Sequence, residues 1–281
     1  MNADDEVTFR VLPFPHERNI VLDVMEQGSL RHHVWGFGSL DVTRPRQLIA
    51  AVKERTGESL SFTAHVVHCL ATALGEHKEV QAIKVGKRLY VFDDVDVSTM
   101  IEKETRQGMK VPANYIVRRA NRKSYREIHD EIRAAKGLAL NGIALGDDRD
   151  ARLANLFCRM PKWIRNLVWW RVNRDPLLRK KLLGTAQVSS VGMFVNTGGW
   201  ALTRTVWSIA VIVGGIARRP GVVEGRVEVR DFVDLTLSVD HDIVDGGPAA
   251  RFAQRFASLL QSAAGIEAAE SSASRPGGAS K

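Results

Sequence analysis

Apolar and polar residues alternate from Val233 to Val239, the period-two signature of a half-buried strand. Soon afterwards Phe252, Phe256, Leu259 and Leu260 recur at three- and four-residue steps, which predicts a helix entered through Pro248. Upstream the two periods keep exchanging. Helices are expected over Pro15–Gln27, from Thr43 to Arg55 and over Ser61–Glu76. The last of these turns Val66, Val67, Leu70, Ala73 and Leu74 inward and leaves His65 and His68 at its surface or boundary. Strands are expected over His32–Val42, over Val95–Ile101 and over Lys110–Val117, with a hairpin about Gly86. Ser124 and Glu127 have the spacing of a capping box, opening a helix that Gly137 stops.

One stretch breaks this rhythm. From about residue 138 to 184, Leu153, Leu156, Phe157, Met160, Ile164, Leu167 and Val168 recur at helical steps interrupted by Pro161. Two short helices with a basic polar face are expected there. Trp163, Trp169 and Trp170 place three of the six tryptophans in them.

Composition narrows the class. Hydrophobic residues make up 44% and charged residues 26%, the proportions of an ordinary globular protein, and 281 residues suffice for one large domain. The two cysteines, Cys69 and Cys158, sit among helical apolar neighbours and read as buried thiols in a reducing compartment, which points to a cytoplasmic protein. The net charge of +8 is local. Residues 152–181 hold nine basic residues against Asp175 alone, so the remainder is neutral, which argues against a nucleic-acid-binding protein. The bland reading of this segment is a helical pair packed on the domain or at a subunit contact. Packing is the favoured reading; the sharper one is a membrane- or partner-docking element, with an interfacial helix on anionic lipid.

Between the last predicted strand and helix lies Asp240-His241-Asp242-Ile243-Val244-Asp245-Gly246. A scaffold fixes a side chain well at such a junction while leaving it access to a cavity. A neutral imidazole there can take a proton from a thiol or hydroxyl. An aspartate four residues on can anchor the loop through an arginine, and a glycine after it allows the turn. On composition alone, a surface turn with a solvated histidine and three acids is the favoured reading, because His-x-x-x-Asp-Gly is a short pattern. A metal site built on His241 is disfavoured, because adjacent strand residues face opposite ways.

The run from Leu235 through Asp240-His241-Asp242-Ile243-Val244-Asp245-Gly246 to Phe252 resembles the signature of dihydrolipoamide acyltransferases, the cores of 2-oxoacid dehydrogenase complexes. Gly184–Phe194 resembles a second signature, in which a strand ends in a serine. The resemblance runs from about Arg10 to Gly265. It implies an α/β fold of the chloramphenicol acetyltransferase type: a central mixed sheet flanked by helices, trimer-forming. Arg204–Ala217 takes the place of the family's buried strand and Val222–Val239 that of its closing hairpin. Residues 1–265 would then form an acyltransferase catalytic-type domain with an insertion at about 138–184, and residues 266–281 a disordered tail. His241 takes the place of the general base, Ser189 that of the oxyanion-stabilising serine and Asp245 that of the structural aspartate. Arg18 is the candidate partner for Asp245, with Gly246 as further support. Coenzyme A is implied as substrate. A lipoyl group is expected only from another protein, because no lipoyl-domain Asp-Lys-Ala turn is found. A homotrimer, a larger cage, a lipoyl-carrier protein and 2-oxoacid dehydrogenase subunits are the implied partners. Two positions depart from the pattern: Asp242 stands where the family has arginine, and Gln187 where it has threonine. They keep open a catalytically reduced homologue that acts as an assembly scaffold.

Overall fold

The computed structural model describes residues 9–104, 110–137, 148–190 and 197–267. The elements, in order, are α1 (Arg18–Ser29), β1 (His33–Asp41), α2 (Thr43–Thr56), α3 (Phe62–Glu76), β2 (Ile83–Val85), β3 (Arg88–Tyr90), β4 (Val97–Glu104), β5 (Lys110–Val117) and α4 (Tyr125–Gly137). Then come α5 (Asp148–Arg159), α6 (Lys162–Arg174), α7 (Pro176–Leu183), β6 (Ala186–Ser190), β7 (Ile209–Val223), β8 (Arg226–Asp240) and α8 (Gly246–Gln261).

Six strands form a mixed sheet in the order β1-β8-β7-β6-β4-β5, while β2 and β3 pair separately. β6 runs parallel to β4 and β7; the other pairings in the large sheet are antiparallel. Alternation predicts a half-buried β8, but its C-terminal half is buried on both faces, with Asp234, Thr236 and Ser238 fully enclosed as well. Val233, Leu235 and Val239 join the core, and α3 and α8 supply Val66, Leu70, Leu74, Phe252 and Leu260 to the same cluster. At about 25 cal/mol per Å² of apolar surface, this cluster is the main stabilising term of the fold. The β7–β8 ribbon turns through Glu224 and Gly225, both at positive φ, the two-residue hairpin turn whose twist matches the strands. Ser124 and Glu127 form the expected capping box, each accepting the other's backbone N–H.

Three further expectations are corrected. His65 is fully buried rather than at a surface, because its Nε2–H donates to the Leu260 carbonyl at 3.1 Å and ties α3 to α8. Burial lowers its pKa to about 4. Residues 148–183 form three helices rather than two: Asp175 caps a further one, accepting from the amides of Leu177 and Leu178 with Pro176 at the first position. Ile266, placed at the start of the disordered tail, is fully buried in the core cluster. Residues 268–281 lie outside the described residues, as do 138–147 of the insertion.

Candidate active site

β8 ends at a tightly bonded turn. The Asp240 N–H donates to the Ser208 carbonyl at 2.8 Å, and the Asp240 carbonyl accepts from the amides of Ile243 and Val244 at 3.1 and 3.2 Å. The His241 N–H donates to the His32 carbonyl at 2.8 Å. The buried Asp240 carboxylate takes Arg31 Nη1 at 3.0 Å and the Asp242 amide at 3.2 Å. Val244 is buried, so the turn is pinned on both sides, while the side chains of His241 and Asp242 face solvent. A histidine on such a turn has a fixed backbone and an accessible ring, which is what proton transfer to a bound group needs.

Asp242 is held by its surroundings. His32 Nδ1–H donates to one oxygen at 3.0 Å and Lys84 Nζ to the other at 3.2 Å. The His32 hydrogen bond, followed by that of Lys84, holds this carboxyl below the usual aspartate range. The adjacent histidines therefore divide. His32 goes to the turn, whereas His33 is buried and donates from Nε2 to the Trp207 carbonyl at 2.9 Å. Beside the turn opens a cleft of about 250 Å³ lined by Gln27, Arg31, Lys84, Asn173, Asp240 and Asp242. Asn173 comes from α6 and also donates to Gln27 at 2.7 Å, so the inserted helices form one wall of it.

Two supporting assignments are corrected. Arg18 is exposed at the start of α1, and no ion pair joins it to Asp245 among the described residues. The arginine that reaches the turn is Arg31, and its partner is Asp240. The register decides this: His33 pairs with Asp240, which places the residues just before β1 beside the end of β8. Arg18 lies a whole helix earlier, about 18 Å at 1.5 Å per residue. Asp245 is exposed and flanks α8 without a side-chain cap bond. Gly246 is not at positive φ, and a Cβ there would meet nothing within 4 Å. The bend is made by the Asp240 carbonyl and by Val244, not by glycine freedom.

Ser189 lies at the other end of the sheet. It is half-buried on β6 and aligned with Ile212 of β7, which is aligned with Thr236 of β8. Five further residues lead to His241. Two strand spacings across and five residues along put the two side chains on the order of 20 Å apart within one chain. β6 and β8 run in opposite directions, so their C-terminal ends point away from each other. Gln187 accepts from Thr205 Oγ1 at 3.2 Å, which ties β6 to the segment before β7.

Neither cysteine has the setting of a nucleophile: burial pushes both thiols up, and nothing near Cys69 offsets it. Glu58, His129 and Asp130 lie close enough for a metal, but Arg126 and Arg133 pair with Glu58. The Ser61 N–H also donates to His129 Nδ1, which places the ring proton on Nε2 and removes it as a ligand. Sequence reasoning missed Arg31, Asp240 and Lys84. The strand register would have found the first two, but no pattern points to Lys84.

The sequence model of the 2-oxoacid dehydrogenases acyltransferase (catalytic domain) family matches residues 7–148 and 182–267. Among curated relatives, the lipoamide acyltransferase component of the branched-chain alpha-keto acid dehydrogenase complex of Bacillus subtilis is 23% identical over 235 residues, covering 82% of this chain and 47% of that protein. The chain thus spans about half the length of that relative. The cubic core of the pyruvate dehydrogenase multienzyme complex superposes with a TM-score of 0.66 at 18% identity, covering 95% of this chain and 98% of that one. The dihydrolipoamide acetyltransferase of Azotobacter vinelandii superposes with a TM-score of 0.65 at 18% identity over the same shares of the two chains. That structure was solved to examine a serine, a histidine and an asparagine in its catalytic mechanism. With 18% identity these neighbours establish the fold alone. Matched over well more than half its length, the chain belongs to the family of 2-oxoacid dehydrogenase acyltransferase catalytic domains.

Proposed function

We propose that the protein is a coenzyme A-dependent acyltransferase that moves an acyl group between a CoA thioester and a thiol of the lipoyl type. The observation that carries this reading is a spacing. In the Azotobacter enzyme the serine precedes the histidine by fifty-two positions and the asparagine follows it by four. Ser189, His241 and Asp245 repeat both intervals.

His241 takes the proton from the incoming thiol. The thiolate attacks the thioester carbonyl carbon, and Ser189 donates a hydrogen bond to the oxyanion of the tetrahedral intermediate. The intermediate collapses, the carbon–sulfur bond to the leaving thiol breaks, and that thiolate takes back the proton from the imidazolium. General-base action contributes roughly a hundred- to ten-thousand-fold, and one oxyanion donor about a hundred- to a thousand-fold. The separation within one chain supports an intersubunit site, in which His241 of one copy faces Ser189 of another in a homotrimer, from which a larger cage can be built. Asp245 then acts on the loop in that assembly. The lipoyl group arrives on a separate carrier protein or a 2-oxoacid dehydrogenase subunit, and the free thiols fit a cytoplasmic setting.

The test is a panel of acyl-CoA donors with free dihydrolipoamide as acceptor. Wild type should turn over at least one donor, and His241→Ala should lose about a hundredfold or more. A second reading, an assembly scaffold without the reaction, is favoured by Asp242 and Gln187. It predicts no turnover with any donor and normal assembly of His241→Ala.

A further inference from the structure

Residues 149–181 are absent from the family match, so this segment is not part of the shared catalytic framework. Its central helix, α6, is mounted in an unusual way. Its inner face carries Arg165, whose Nε donates to the buried Asp23 of α1 at 2.9 Å, together with the buried Trp169 and Val172. Helical periodicity then fixes what faces out. Trp163, Leu167 and Trp170 form a stripe on the opposite side, exposed by 69%, 58% and 49%. Arg174 continues the stripe and lies over the Trp170 ring, 4.2 Å from its centroid. Leu156 of α5 and Leu177 of α7 are also exposed. A run of large apolar side chains of this kind marks an interaction surface rather than chance exposure.

Charge selects the occupant. Residues 152–181 hold nine cations against Asp175, and among the described residues their ion-pair partners from outside the segment are Asp23, Glu26 and Asp96, so positive charge remains in clear excess. Two copies meeting through this face would bring like charges together, which opposes self-association. Trp163, Leu167 and Trp170 each expose about half or more of their surface, which suits a soft partner. Tryptophan rings settle at a headgroup layer, and arginine and lysine reach past them to anionic groups. No helix among the described residues is long and apolar enough to cross a membrane.

We propose that the outer face of α6, flanked by α5 and α7, docks the protein on an anionic lipid membrane. The inference does not depend on the acyl-transfer reading. It is tested by flotation of the full chain with vesicles of equal parts phosphatidylglycerol and phosphatidylcholine, against pure phosphatidylcholine. Binding is expected on the anionic vesicles at low salt and should weaken at high salt. The combined variant Trp163→Ser, Leu167→Ser, Trp170→Ser should keep its melting temperature and lose partitioning by about tenfold or more. A charge variant, Arg174→Glu with Lys181→Glu, should weaken binding to the anionic vesicles as well. Failure of the wild type to float, or equal flotation of the triple variant, overturns the proposal. So does sedimentation showing that the triple variant dissociates an oligomer while vesicles are not bound, which would make the face a contact between copies. Binding to polyglutamate in place of vesicles would overturn it in favour of an acidic protein.

Discussion

The family-matched sheet and the helices inserted before β6 both bury charged residues, and they differ in the apolar surface they leave outside. Along β8, apolar Val233, Leu235 and Val239 enter the core, and Asp234, Thr236, Ser238 and Asp240 between them are buried as well. Along α6, Arg165 is buried on Asp23 beside Trp169 and Val172, while Trp163, Leu167 and Trp170 face solvent. The sheet is held by the hydrophobic effect, which is non-directional and tolerant of conservative exchange. The insertion is seated by Trp169 and Val172 together with the Arg165–Asp23 pair, which must be complete, since a buried charge without its partner costs far more than the pair contributes.

The sharpest way to break this contrast is Arg165→Ala. It strands the Asp23 carboxylate at the α1–α6 contact and should cost about 3–5 kcal/mol in chemical unfolding. A loss below about 1 kcal/mol would mean that the pair does not seat the helix.

The sheet side has its own sensitive point in His65. Its folded pKa is lowered to about 4 by burial, so the fold holds the neutral ring. Above the unfolded value of about 6.5 the group has no effect. As pH falls from about 6.5 to about 4, the unfolded chain takes up a proton that the folded chain refuses, and stability is lost. Between pH 7 and pH 4.5 this amounts to about 2–3 kcal/mol. Denaturant midpoints across that range should show the loss, and His65→Gln should flatten this part of the profile.

At the turn itself, Arg31→Ala leaves Asp240 with only its own turn amide. It should cost about 2 kcal/mol and reduce turnover more than a change of the same size elsewhere, because it frees the loop that carries His241. The smallest effect is expected for Trp163→Ala, within about 0.5 kcal/mol in thermal unfolding, because its side chain is mostly solvated. A large loss there would show that the outer face of α6 is already covered by protein.

Much of the framework is legible in the sequence, because strand alternation and helical stripes mark which residues share a face, though not that the polar face of β8, with Asp234, Thr236 and Ser238, is buried too. The capping box at Ser124 and the buried faces of α3 and α8 follow from spacing alone. The inverted α6 does not. Periodicity shows which residues share a face but not which face is inward, and Asp23, which settles the matter, is far away in the chain. The turn around His241 was visible as a motif, and its bonding was not. Arg31 replaces Arg18 as the turn's arginine because of a strand register that only pairing defines. The Lys84–Asp242 contact depends on a separate hairpin whose placement no local pattern encodes.

The central claim is that one copy's His241 works with another copy's Ser189. It is tested most directly by complementation. His241→Ala and Ser189→Ala are prepared separately, unfolded, mixed in equal amounts and refolded together, and acyl transfer is measured. Each variant alone should be nearly inactive. The mixture should recover about a quarter of wild-type activity, since random assembly places an intact histidine beside an intact serine at about one interface in four. A mixture no more active than the two variants assayed separately would contradict the account.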